Sequence, residues 1–382
     1  GRPVSPHEVT RLVNEGNAVL VDLRDSAEFK AGHIVGAINV PYAKLTKEST
    51  EVASYKDKTI ILIDKLGQHA HDEMLFIVIH QTYELWFKQV LFEVSSVIDI
   101  MSQPNIQDNS PDLFVVNHRL DRVVKILQVL VDQVTIMETM TPLDFLDFRN
   151  MLRPASGFQS IQFKQLEAFL GLRMENRHGK EYYVSQLRPE DKKRIEEVEK
   201  TQPLLSLINN WLERMPFFDT PEYWQGWEQT GELHPFWQKY ADTYAGSLTE
   251  GEKFNLDYFK EQLLGVEKKP EWSLSPKARR AALFIMLYRD YPLLQMPYNL
   301  MNVLLEIDNT LSAWRYRHMN MVHRMIGTRT GTGGSTGKDY LRGALNSHYI
   351  FAEFAGLTSF LIERNKLPKL SPALRTRLGF DI

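Results

Sequence analysis

HDEMLFIVIHQTYELWFKQVLFEVSSV, His71 to Val97, places Leu75, Ile79, Tyr83, Trp86, Val90, Val94 and Val97 three or four residues apart along its whole length. That spacing is the period of one buried face of an α-helix, and no strand alternation competes with it. A second long helix follows the same rule through Leu113, Val116, Leu120, Val123, Leu127, Leu130, Val134 and Met137. It stops near Thr141-Pro142, where Thr141 can cap a new short helix with Pro142 in its first turn. Further helical patterns run through Pro203 to Arg214, Lys277 to Arg289, Leu293 to Ile326 and Tyr340 to Arg364, separated by Pro- and Gly-bearing breaks. The charged run RPEDKKRIEEVEK, Arg188 to Lys200, reads as a solvated helical face.

On the N-terminal side of His71 the pattern changes. Short apolar runs at Val19 to Leu23, Ile38 to Val40 and Thr59 to Ile63 alternate with brief helix signals such as Asp25-Ser26 ahead of Ala27 to Lys30. The chain is therefore expected to hold a small, incomplete α/β segment over residues 1–63 and a large all-α unit over residues 64–382.

Composition narrows the function. In 382 residues, 45 basic side chains face 48 acidic ones, a net charge of -3, so no general pull toward nucleic acid or anionic membrane is expected. No window reaches the ~18 apolar residues of a membrane span, and GRPVSPHEVTRL has no apolar signal region, so a soluble, cytoplasmic protein is expected. The chain has no cysteine, which excludes disulfides, thiolate metal ligands and cysteine nucleophiles.

The glycine-rich RTGTGGSTGKDYL, Arg329 to Leu341, invites a phosphate-loop reading, but Thr332 and Asp339 stand where such a loop needs Gly and Ser or Thr. It also follows a helix, LSAWRYRHMNMVHRMIG, rather than a buried strand, so a nucleotide site is not expected. The histidines do not pair for a mononuclear metal either. His71 and His80 lie nine residues apart, on opposite sides of a helix, and His318 and His323 are five apart rather than four. The one Glu-x-x-His pair, Glu175 with His178, sits in the polar MENRHGK, whereas a di-iron bundle needs two such pairs facing inward. Any metal would need a single axial histidine, which is what a haem accepts. A lone helical histidine is otherwise an ordinary core or surface residue.

Residues 5–63 resemble the rhodanese, or sulfurtransferase, family: a strand ending VDLR, then EF, then GHIVGAINVP, then the strand KTIILI. The family's catalytic cysteine loop should follow, but this chain continues DKLGQHAHDEM. Persulfide transfer needs a thiolate, so a sulfur-carrier activity is disfavoured and the segment is expected to be inactive.

HDEMLFIVIHQTYELWFKQ (71–89), LDFLDFRNMLRPASGFQSIQF (143–163), WRYRHMNMVHRMIG (314–327) and GTGGSTG (331–337) together resemble the tryptophan 2,3-dioxygenase family, in family order over residues 64–382. The resemblance implies an all-helical homotetramer with one haem b per subunit, ferrous in the active state. Such an enzyme inserts O2 across the indole C2–C3 bond of L-tryptophan to give N-formylkynurenine, the first step of the kynurenine pathway.

Residue by residue, His318 in RYRH matches the axial ligand of the haem iron. His71 in HDE matches the distal histidine that hydrogen-bonds the indole N–H, which leaves open whether it also removes a proton. Arg149 in DFRNML matches the arginine that holds the substrate carboxylate, a task suited to a planar fork. Taken alone, Arg149 reads as a surface ion pair. Phe145 lies one helical turn before Arg149, so ring and guanidinium point the same way. Leu152 and Ser156 in LRPASG match further pocket positions, and packing is an equal reading for Leu152. Thr332 matches the loop residue that contacts the substrate's ammonium and carboxylate, its glycines permitting closure and water exclusion. The family's tyrosine-bearing segment before HDE is represented only by IDKLGQ (63–68). A haem- or tryptophan-binding protein with impaired turnover is therefore the alternative.

Overall fold

A computed structural model describes residues 12–44, 57–63, 71–104, 110–152, 159–172, 187–215, 217–227, 233–265, 268–327 and 348–379, together with residues 9, 52, 54, 55, 106, 177 and 329. It separates into two compact units, residues 1–74 and 75–382. The division falls within the first turn of the His71 helix, eleven residues beyond the change in sequence pattern at 63.

The first unit is built on three parallel strands, β1 (Ala18–Asp22), β2 (Ile38–Asn39) and β3 (Thr59–Ile63), in the order β2-β1-β3. Helix α1 (Ser26–Ala31) joins β1 to β2. Asp25 precedes α1 as expected, yet its side chain makes no capping hydrogen bond. Central β1 is buried on both faces: Ala18 and Leu20 pack with Ile61, and Val21 and Leu23 pack with Val40. The register sets Val21 against Ile38 and Leu20 against Ile61. A parallel sheet ordinarily has both faces covered, but Ile60 and Leu62 of β3 are 38% and 53% exposed. Among the described residues neither outer strand has a further neighbour.

The long helices follow the sequence pattern closely. Helix α2 (His71–Met101) buries Ile79, Phe87, Val90, Val94, Val97 and Met101. Ser110 caps α3 (Pro111–Met137) by accepting from the Leu113 N–H. Thr141 and Asp144 form a reciprocal capping box on α4 (Pro142–Arg149), with Pro142 in its first turn. Then come α5 (Ile161–Leu170), α6 (Pro189–Glu199), α7 (Leu204–Glu213), α8 (Pro235–Ser247), α9 (Phe254–Phe259), α10 (Pro276–Leu287), α11 (Pro292–Ile326), α12 (Ala352–Gly356) and α13 (Pro372–Arg377). Gly171 ends α5 at φ +126°, and a Cβ there would lie 2.8 Å from the Leu205 Cβ, so a glycine lets α5 approach α7.

One core joins Val90 and Val94 of α2, Leu120, Val123 and Leu127 of α3, and Leu300, Leu304 and Leu311 of α11. Each such side chain contributes about 1.5–3 kcal/mol on leaving water. Helix α6 has the solvated face expected of it, with Asp191, Ile195 and Val198 buried beneath. One expectation changes. The helix expected over Tyr340 to Arg364 is, in its described part, only α12 followed by a tight turn at Leu357–Phe360. Before α12, the N–H groups of Ile350 and Phe351 donate to the Asp308 carboxylate instead of to a preceding turn.

Candidate functional site

Three helices of the second unit bring the chemistry together. Helix α2 presents Phe76, His80 and Tyr83 at the spacing of one face. Helix α4 supplies Phe145, Phe148 and Arg149, and it packs on α11, which carries Trp314 and His318. The Phe76 ring lies 5.8 Å from Phe145 and 5.5 Å from Phe148, which meet each other edge-on at 5.5 Å. These contacts make an aromatic wall in which Phe145 is half-buried.

Arg149 closes α4 and is only 8% exposed, so the surface-pair reading of this residue fails. A guanidinium so withdrawn from water is held by polar contacts within the protein, and its planar fork also has the geometry that a carboxylate takes. Leu152 ends the tight turn Asn150–Leu152 and is half-buried. Ser156 and Thr332 lie outside the described residues. His71 is the exposed first residue of α2, beside Asp72 and Glu73.

His318 lies eight residues before the end of α11, which Gly327 terminates at φ +59°. Its Nδ1 is buried and meets no hydrogen-bond partner among the described residues. Burial pushes its pKa down to about 4, and nearby His80 pushes the same way. The ring is therefore neutral at neutral pH, as an iron ligand must be. Among the described residues no cluster of three or more His, Cys, Asp or Glu could hold a metal ion. A lone neutral imidazole suits a porphyrin, which brings its own equatorial donors. The residues present fit an axial haem ligand at His318.

Two features escaped sequence reasoning. His80 hydrogen-bonds through Nδ1 to the Phe76 carbonyl at 2.7 Å, and its ring lies tilted against the Phe76 ring at 4.1 Å. The i, i+4 ring pair Phe76–His80 was the available signal. The other is a buried charge cluster. Glu167 on α5 accepts from Arg177 at 2.5 Å and from Arg315 at 2.7 Å, and its Oε1 lies 3.5 Å from the His348 Nδ1. Arg315 also donates to the His348 carbonyl at 3.1 Å. Arg315 stands one turn before His318, so the cluster fixes the rotation of α11 where the histidine projects.

Burial alone would raise the Glu167 pKa, but Arg177, the His348 contact and Arg315 outweigh it and hold the carboxyl below its usual range. A group depressed on folding stabilises above its unfolded pKa, roughly 4.3, and that contribution is lost as pH falls toward the folded value. Glu167→Gln is expected to cost about 3–5 kcal/mol at pH 7, because it strands two buried guanidinium groups. Urea unfolding across pH checks this: the gap between parent and variant should narrow below about pH 4. A gap constant with pH would remove Glu167's charge from the account.

A family model described as tryptophan 2,3-dioxygenase matches residues 52–361, and a rhodanese-like domain model matches residues 5–88. The tryptophan 2,3-dioxygenase of Alteromonas mediterranea is 40% identical over 334 residues, covering 83% of this chain and 92% of that protein. The enzyme of the same name from Bdellovibrio bacteriovorus is 39% identical, covering 82% and 92%. The one from Dictyostelium discoideum is also 39% identical, covering 83% of both chains.

Proposed function

The chain belongs to the tryptophan 2,3-dioxygenase family, and from that premise we propose that it catalyses insertion of both atoms of O2 across the indole C2–C3 bond of L-tryptophan, giving N-formylkynurenine. The observation that carries the reading is His318, a neutral imidazole with a buried Nδ1 on a helix packed against the one that bears Arg149. His318 would hold haem b, which when bound and ferrous supplies the site for activating O2. The remaining chemistry belongs to the protein.

Arg149 takes the substrate carboxylate in a bidentate, charge-assisted pair, and Phe145 one turn earlier lies along the indole. Leu152 and Ser156 complete the pocket, and Thr332 contacts the ammonium and carboxylate groups. His71 accepts the indole N–H and orients the ring. The glycines around Thr332 let the backbone close on the amino acid and exclude water.

The N-terminal segment is read as an inactive, partial rhodanese-like piece over residues 1–63, because the chain holds no cysteine to carry sulfur. Residues 64–382 are read as the dioxygenase domain. Val78, Leu85 and Phe92 recur every seven residues on α2 and are 48%, 69% and 71% exposed, a stripe that suits helix pairing between copies and hence a homotetramer. No helix among the described residues is long and apolar enough to cross a membrane. A cytoplasmic setting fits the cysteine-free composition.

The test is turnover by the haem-reconstituted ferrous protein with L-tryptophan and labelled dioxygen. The expected product carries both labelled oxygen atoms. Haem and tryptophan binding without product would favour the alternative, a binding protein whose replaced N-terminal arm has cost it turnover. Failure to bind either ligand would overturn the reading.

A further inference from the structure

We infer that Trp314 is a positioning residue for His318, its indole plane fixing the orientation of the imidazole. The inference rests on the reading of His318 as the axial haem ligand. A metal-ligating histidine almost always donates its second ring N–H to a carboxylate, carbonyl or water, and that bond sets the plane of the ring. Here Nδ1 is buried, and no side chain or carbonyl among the described residues accepts from it. The terminal torsion of a histidine is broad, so a flat neighbour lying against the ring can set its plane.

Trp314 is placed to do so. It precedes His318 by one helical turn, on the same face of α11. The two ring centroids are 5.1 Å apart with planes only 7° from parallel. The indole is itself held from both sides. Phe163 of α5 lies 5.1 Å from it, and Tyr83 of α2 meets it edge-on at 6.1 Å. The Tyr83 hydroxyl donates to the Leu130 carbonyl of α3 at 2.8 Å, so the tyrosine cannot swing away without breaking that bond. Four helices thereby transmit their packing to the plane of one imidazole.

The experiment compares Trp314→Leu, which removes the flat ring, with Trp314→Phe, which keeps one. Phe284→Leu, at a fully buried ring elsewhere in the same core, controls for lost packing. Each haem-loaded protein is measured for its rate of haem transfer to excess apomyoglobin and for its midpoint reduction potential, with urea unfolding as the measure of stability. Trp314→Leu is expected to release haem about 10- to 100-fold faster and to shift the potential, with Trp314→Phe restoring most of both and Phe284→Leu moving neither. Trp314→Met, which keeps bulk without a flat ring, repeats the comparison should the leucine variant not accumulate. Parent-like values in Trp314→Leu, no difference between Leu and Phe, or an equal effect from Phe284→Leu would overturn the inference. Undiminished haem binding by His318→Ala would instead overturn the ligand reading beneath it.

Discussion

His318→Ala is expected to lose its haem and, with it, all tryptophan oxidation. The axial position has no second candidate on the same face of α11: Trp314 stands one turn before it, and the later His323 is exposed and five residues on. The companion variant His318→Gly opens a cavity that free imidazole can enter, so added imidazole should recover part of the haem spectrum. Haem content by pyridine haemochrome, read beside the far-ultraviolet circular dichroism of the apoprotein, separates ligand loss from unfolding. Stoichiometric haem and parental turnover in His318→Ala would sink the assignment.

The second large effect is expected at Arg149. Replacing it with leucine removes a charge-assisted pair of about 1.5–3 kcal/mol, which lowers kcat/KM for L-tryptophan about 10- to 150-fold. Tryptamine has no carboxylate for a guanidinium to hold. Its slower turnover should therefore change little, and the preference for tryptophan over tryptamine should collapse. Arg149→Lys keeps the charge without the fork and should fall between parent and leucine variant. Equal losses on both substrates would make Arg149 a structural residue, its burial serving α4 rather than the ligand.

The helices were legible because their signals are local. Thr141, Pro142 and Asp144 announce the start of α4 within four residues, and the apolar spacing from Leu113 to Met137 marks α3 from end to end. The three strands likewise appear within a residue or so of their short apolar runs. Histidine spacing left open only a single-histidine metal site, and family likeness alone pointed to His318. The Glu167 cluster was not, since Glu167 and Arg315 stand 148 residues apart and Arg177 sits in a stretch that looks merely polar. Long-range ion pairs leave no period in the chain. Asp308 shows the same limit: its carboxylate draws the Ile350 and Phe351 N–H groups out of a helical pattern that the sequence alone favours. His80 was set aside because it faces away from His71, although that direction is the one that aligns it with Phe76 and Tyr83.

The open flank of β3 decides how this protein behaves in a tube. TIILI, Thr59 to Ile63, is a five-residue run of high β-propensity with no charge and no proline. Its outward N–H and C=O groups have no neighbouring strand among the described residues, and Ile60 and Leu62 meet water. Strand-to-strand addition between molecules would satisfy both needs at once. Aggregation on concentration should therefore begin at the smaller unit while the helical core remains folded, and a lysine at Leu62 should raise the concentration at which turbidity appears.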